Sequence, residues 1–273
     1  MLAHGYLLLK DEFEKCLAEV NEQPQWSAYA REKWRHSMQV MGAGNYLVRR
    51  IQWLQDKSDK YIDMVKTAIL LHDVCRFAEI SARFRENIQS FDHGAVGAEF
   101  LRNIPEYNDV RIWLPIRHHG HQIEELYADK EYQNIKDKNL QEEVKRICFI
   151  IRDADKIANL RMMAYEPDVL PLFLGKNKYV PQEDGVISDL VRRNAFGKTT
   201  IPRDPHSTMA DRVAGYLSWF KDINYQYAID FCRKLEVLPR LFEMLDKYCY
   251  DEKFKKEYKN HLTQYINTHK FMD

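Results

Sequence analysis

His72 and Asp73 follow the apolar run Ala68, Ile69, Leu70, Leu71 without a break, in the stretch AILLHDVCRF. Burying a carboxylate or an imidazole unpaired is costly, so this pair demands a partner. Six of the ten histidines lie between residues 36 and 121. His36 shares a helical face with Val40, Ala43 and Leu47 and so points inward. His93 starts a helix in which Gly94 and Gly97 would let another backbone or a metal come close. His118 and His119 close a short apolar helix after Leu114. Asp155 lies on one face with Ile147, Ile151 and Met162. Asp153 competes with it for an inward role but is turned away by about 200° on a helical wheel.

A single inward histidine is more often a hydrogen-bonded core residue than a ligand. A single inward aspartate is often explained by an arginine or a helix end. Here His36, His72, Asp73, His93, His118 and Asp155 would each need a separate partner of that kind. One shared cation satisfies them together, because neutral imidazole nitrogen and carboxylate oxygen are good ligands for divalent transition metals.

The elements that must position these residues read as helices. Apolar residues recur with helical spacing from about 27 to 55, and a second helix over 60–75 carries His72 in its final turn. A third opens near SFDHGAVGAEFLRN, capped by Ser90 or Asp92. VRIWLPIRHH is a short helix with Pro115 either kinking it or in its first turn, and 140–163 is a long helix bearing Asp155. Residues 122–139 are charged and weakly periodic and read as an exposed loop or lid. Residues 165–206 carry Pro167, Pro171, Pro181, Pro202 and Pro205 with Gly175, Gly185 and Gly197 among short helical pieces. Amphipathic helix then resumes to the end. No strand alternation persists, so the expected class is all-α.

The totals exclude some functions. Lys plus Arg and Asp plus Glu both number 41, so no net field points to nucleic acid or an acidic membrane. The five scattered cysteines lack a CxxC spacing and read as reduced thiols, not as a disulfide framework or a zinc ribbon. No run approaches eighteen apolar residues, and MLAHGYLLLKDEFEK has no basic leader or cleavage site. A cytoplasmic globule is the expectation.

The ordered set His36, His72-Asp73, His93, His118-His119 and Asp155 resembles the HD-domain superfamily of metal-dependent phosphohydrolases. WRHSMQVM resembles the first-histidine helix, AILLHDVCR the HD element, DHGAVGAEFL the helix with His before Gly-Ala, IRHHG the paired histidines, and DADKIANL the closing motif. The likeness covers about residues 27–165. It implies an HD-domain helical bundle over 1–165, with helices of a C-terminal extension, 166–273, packed on it in the same globule. It implies a first metal held by His36, His72, Asp73 and Asp155. His93 and His118 match the branch with two metals, in which Asp73 bridges. The family pattern favours Asp155, which follows Ala154 and precedes Lys156, over Asp153.

The resemblance also implies a reaction. One or two divalent ions (Mn, Fe, Co, Ni, Zn or Mg) would lower the pKa of bound water and neutralise a phosphoryl oxygen. Asp73, His119 and Lys156 are the expected catalytic residues, His119 either contacting the second metal or acting as a general acid. Arg76, Lys156 and Arg117 are expected to bind phosphate, with Arg83 and Arg85 close by. The expected substrate is a small phosphate ester, a mono- or diester of the nucleotide class. No Gly-Tyr-Pro occurs, which argues against the cyclic-di-GMP branch, and the absence of a preceding synthetase domain argues against bifunctional alarmone enzymes. A homo-oligomer is compatible with the sequence. The alternatives are a di-iron oxygenase with the same ligands, or a non-enzymatic nucleotide sensor using the aromatic residues Tyr216, Trp219, Phe220, Tyr225, Tyr227 and Phe231 as a surface.

Overall fold

A computed structural model of the chain describes residues 1–88, 91–166, 185–202, 204 and 207–273. Among these residues it contains 14 α-helices and no strand beyond one isolated parallel bridge, Tyr225 to Met272. No helix among the described residues is long and apolar enough to cross a membrane. The chain divides into two compact units, Met1–Asp155 and Lys156–Asp273, a division that falls inside the long helix that carries Asp155.

In the first unit α1 (Leu2–Val20), α2 (Pro24–Val48) and α3 (Asp59–Leu70) pack against one another. Sequence patterning did not single out α1, whose buried face is Gly5, Leu9, Cys16 and Val20. Helix α2 starts on Pro24, where a missing N–H costs nothing, and stops earlier than its periodicity suggests. The Gln55 side chain donates to the carbonyls of Val48 and Ile51, satisfying the end of the helix and the turn after it. Gly44 lets α2 and α3 approach closely: a Cβ there would lie 2.6 Å from Ile69 Cγ2.

The expected helix over 60–75 is two elements. Helix α3 ends at Leu70, residues 71–75 form a turn, and α4 (Arg76–Glu86) begins directly after it. His72 Nδ1 donates to the Ile69 carbonyl, which competes with continued helix at that point. Helix α5 (His93–Arg102) is capped by Asp92, whose side chain accepts from the Ala95 N–H; Ser90, the other candidate cap, lies outside the described residues. Helix α6 (Val110–His118) contains Pro115 in its interior, not its first turn. Gly94 brings α5 onto α6, since a Cβ there would lie 3.0 Å from the carbonyls of Ile116 and Arg117.

Residues 122–139 are mostly exposed, as expected, but they are not all loop. They form α7 (Ile123–Ala128) and α8 (Lys130–Gln133), anchored by the buried Leu126 and Tyr132. Their charges hide this, because two apolar anchors are too few to give a period. Helix α9 (Lys138–Tyr165) follows. The second unit contains α10 (Asp189–Asn194), α11 (Met209–Ser218), α12 (Gln226–Lys234), α13 (Val237–Tyr248) and α14 (Glu252–Thr268). Val213, Leu217, Phe220, Ile229, Leu241, Leu245, Tyr258 and Leu262 are buried there. Phe220 and Tyr225, which the alternative sensor reading would place on a surface, are core residues. Pro167, Pro171, Pro181, Pro205 and Gly175 lie outside the described residues. All five cysteines are free and buried.

Candidate metal centre

Two of the histidines are fixed by the helix that precedes them. His72 Nδ1 lies 2.9 Å from the Ile69 carbonyl and His119 Nδ1 lies 2.7 Å from the Ile116 carbonyl. A carbonyl oxygen only accepts, so Nδ1 carries a proton in both rings; His72, kept neutral by burial, has its lone pair on Nε2, whereas at His119 burial is outweighed by Asp73, which raises that imidazole and favours a proton on its Nε2 as well. His72 Nε2 is buried with no hydrogen-bond partner. His119 Nε2 is 3.5 Å from the buried Asp73 Oδ1. The His72 lone pair and the Asp73 carboxylate facing one another repel unless a cation stands among them, whether a metal ion or a protonated His119.

The remaining groups converge on the same place. His36, from α2, sets Nε2 2.9 Å from Asp155 Oδ1 of α9. The ligand atoms of His36, His72 and Asp155 all lie within 4.8 Å of one another, and so do those of His72, Asp73 and His119. His72 belongs to both groups, which makes it the hinge of a five-residue cluster. Burial pushes the His72 imidazole down to about 4, despite Asp73 beside it, so it is neutral at pH 7. Burial also opposes ionisation of Asp73 and Asp155. The neighbouring Arg76, His93 and His72 outweigh it for Asp73, and His36, His72 and His119 for Asp155, so both carboxyls are held well below the usual carboxylate range. Asp153, expected to be turned away, is wholly buried, whereas Asp155 is partly exposed, so it is the contact with His36 and not burial that singles out Asp155. Neutral imidazole nitrogens and ionised carboxylates, some of their atoms without partners, fit a divalent transition metal.

His93 stands at the first position of α5, its Nε2 2.9 Å from Asp73 Oδ1. His118 is not brought into the cluster. Its Nε2 is 2.8 Å from Asp129 Oδ2, in the turn between α7 and α8. Adjacent helical residues point about 100° apart, so only one of His118 and His119 can face the centre. Arg117 is also turned to that side, paired with Asp129 at 3.1 Å and Glu131 at 2.5 Å. Arg76 lies inside the cluster, 3.5 Å from Asp73. Lys156 pairs with Asp222 at 2.8 Å, both in the second unit. Arg83 and Arg85 pair with Glu79 and Glu19.

Two positioning residues went unnoticed in the sequence. Arg152 is almost wholly buried and donates to the carbonyls of His118, His119 and His121. It thereby closes the C-terminal end of α6, where a cation is favoured. Glu79, on α4, is buried against Arg76 and the far side of His93. Nothing in the residue order marks either one, since a charged residue in an amphipathic helix normally faces solvent.

An all-helical unit that gathers histidines and aspartates from separate helices around a buried centre defines a metal-binding helical domain. Residues 34–160, a little under half of the chain, match the HD domain. Comparison with curated proteins and with solved structures gave no match.

Proposed function

We propose that the chain hydrolyses a phosphate ester, a mono- or diester of the nucleotide class, with water activated at the cluster of His36, His72, Asp73 and Asp155. The observation that carries this reading is the buried, unpartnered Nε2 of His72, shared by the His36/Asp155 group and the Asp73/His119 group. A divalent ion held by the four residues supplies a water of lowered pKa and a positive charge for a phosphoryl oxygen. His36 and His72 offer neutral nitrogens, and Asp73 and Asp155 bring the charge. His119, with Nδ1 tied to the Ile116 carbonyl, presents only Nε2 to the substrate side. It is suited to hold or pass a proton there. The second-unit pairing of Lys156 with Asp222 supports a structural role for that lysine instead of the phosphate contact expected from its place in the motif.

Asp73→Ala should lose bound metal and reduce hydrolysis to background while helical content by circular dichroism stays near wild type. A variant that hydrolyses its substrate at the wild-type rate would falsify the mechanism. Elemental analysis together with a panel of nucleotides and generic phosphate esters, assayed with and without oxygen, identifies the substrate class. Turnover that requires oxygen and leaves the phosphate ester intact would favour the oxygenase.

A further inference from the structure

Two helices carry cations away from the His/Asp cluster on facing stripes. On α2, Trp26, Tyr29, Lys33 and His36 recur at intervals of three and four, so they share a face, and Lys33 stands one turn before His36. On α4, Arg76, Glu79 and Arg83 recur in the same way, starting at the end nearest Asp73. The stripes meet. The Arg83 guanidinium lies 5.7 Å from the centre of the Trp26 ring and 5.9 Å from that of Tyr29, and Lys33 Nζ lies 6.0 Å from the Tyr29 ring. Tyr29 is also within electrostatic reach of Arg76.

Arg76 and Arg83 share the single carboxylate of Glu79, at 2.5 Å and 3.9 Å. The other carboxylate that faces Arg76 is Asp73, a member of the metal cluster. Glu32, beside Lys33 in the chain, is turned to Arg35. Two guanidiniums on one carboxylate keep N–H donors for a further anion. Each of the two side chains leaves 18% of its surface exposed, so a ligand reaches both from solvent. The aromatic faces beside Arg83 hold its plane without using its donors. Arg85, two residues on, is paired with Glu19 at 2.9 Å instead.

We infer that Arg83 and Lys33, set by Tyr29 and Trp26, form a second anion subsite outside the metal ligands, so that the preferred ester carries a second phosphate. The inference rests on the phosphohydrolase reading above and deepens it by naming what the substrate bears beyond the bond that breaks. Arg83 is two turns from Arg76 on α4, about 10 Å along the helix axis, a separation that one nucleotide spans.

The test compares adenosine 5′-monophosphate with the 5′-diphosphate and the 3′,5′-bisphosphate, using the full chain loaded with Mn(II). Wild type should show kcat/KM at least about tenfold higher for one of the two-phosphate substrates, the gain expected from an added charge-assisted contact. Which of them is favoured tells whether the second phosphate follows the first or sits across the sugar. Arg83→Met keeps the apolar packing on Trp26 but removes the donors, and should cut the preference to within about twofold, through KM with kcat unchanged. Should that variant not fold, Lys33→Met carries the same expectation. Arg85→Met should keep the wild-type preference. A wild type without the preference, or a folded Arg83→Met chain that retains it, would overturn the inference and leave the phosphohydrolase reading standing. If neither these nucleotides nor p-nitrophenyl phosphate is hydrolysed, that reading falls. Calorimetric binding of the same three nucleotides then decides the inference, and equal affinity for all three overturns it.

Discussion

At the scale of single residues, the centre depends on which of two neighbouring histidines turns inward. His119 faces Asp73 and His118 faces Asp129. His118→Ala should therefore cost about 1.5–3 kcal/mol, the loss of a hydrogen bond to a charged group, with metal content unchanged. His119→Ala should weaken metal binding roughly 10- to 100-fold, the usual effect of removing an orienting partner. Titration with a metal-indicator dye separates the two, and the reverse pattern would show that the histidines exchange roles. Sequence spacing singled out His36, His72, Asp73, His93 and Asp155, and these are the residues whose ligand atoms meet at or beside Asp73 and Asp155. It could not separate His118 from His119, because near a helix end the apolar face is too short to tell adjacent positions apart. Arg152, Glu79 and Asp129 were invisible for a different reason. Each acts through a partner distant in sequence, and periodicity records only which way a residue faces.

At the scale of elements, the centre is assembled from helix pairs packed closely enough for side chains to reach. Gly44 is the tightest such point, with Ile69 of α3 against it. Gly44→Ala should push α2 from α3 and cost on the order of 1–3 kcal/mol, the range for overpacking a filled core. Urea denaturation measures this, and shortening Ile69 to alanine in the same chain should restore part of the loss by making room for the new methyl. An additive double mutant would mean that the two residues do not collide. The long helices were legible because 25 residues of α2 or 28 of α9 repeat their pattern many times. Their ends were not, since Gln55 and His72 stop helices with side chains that reach nearby carbonyls. The short helices α7 and α8 were missed altogether, having one buried anchor apiece.

At the scale of the whole molecule, the all-helical class was plain from the sequence, whereas the division near residue 155 leaves no mark in composition, because it falls inside a continuous helix. The second unit encloses a charge that should be visible in solution. Lys221 Nζ is buried and donates to the carbonyls of Ala195 at 2.5 Å and Gly197 at 2.7 Å. Burial pushes its ammonium down to about 8. In the unfolded chain the lysine keeps its proton to about pH 10.4, so between pH 8 and 10 the unfolded state binds more protons. The Lys221 contribution to stability therefore rises with pH across that window, and below pH 8 the full cost of burying the charge is present. Buried thiols oppose this: Cys16 and Cys75 are pushed up to about 11 and 12 by burial, and stability held by them falls as pH rises past 9. The difference between wild type and Lys221→Met, followed by denaturation at pH 7.5, 9 and 10, isolates the lysine. A difference that does not change with pH would show that Lys221 titrates normally.

The two imidazoles anchored to the carbonyl three residues before them carry a consequence for assembly of the centre. Because Ile69 and Ile116 aim His72 and His119 through hydrogen bonds made within their own helix ends, the rings are oriented by the polypeptide alone. An ion held there would enter a receptor already shaped for it, with little ordering entropy left to lose. Folding comes first and metal second, the opposite sequence from small domains that have no structure until an ion organises them.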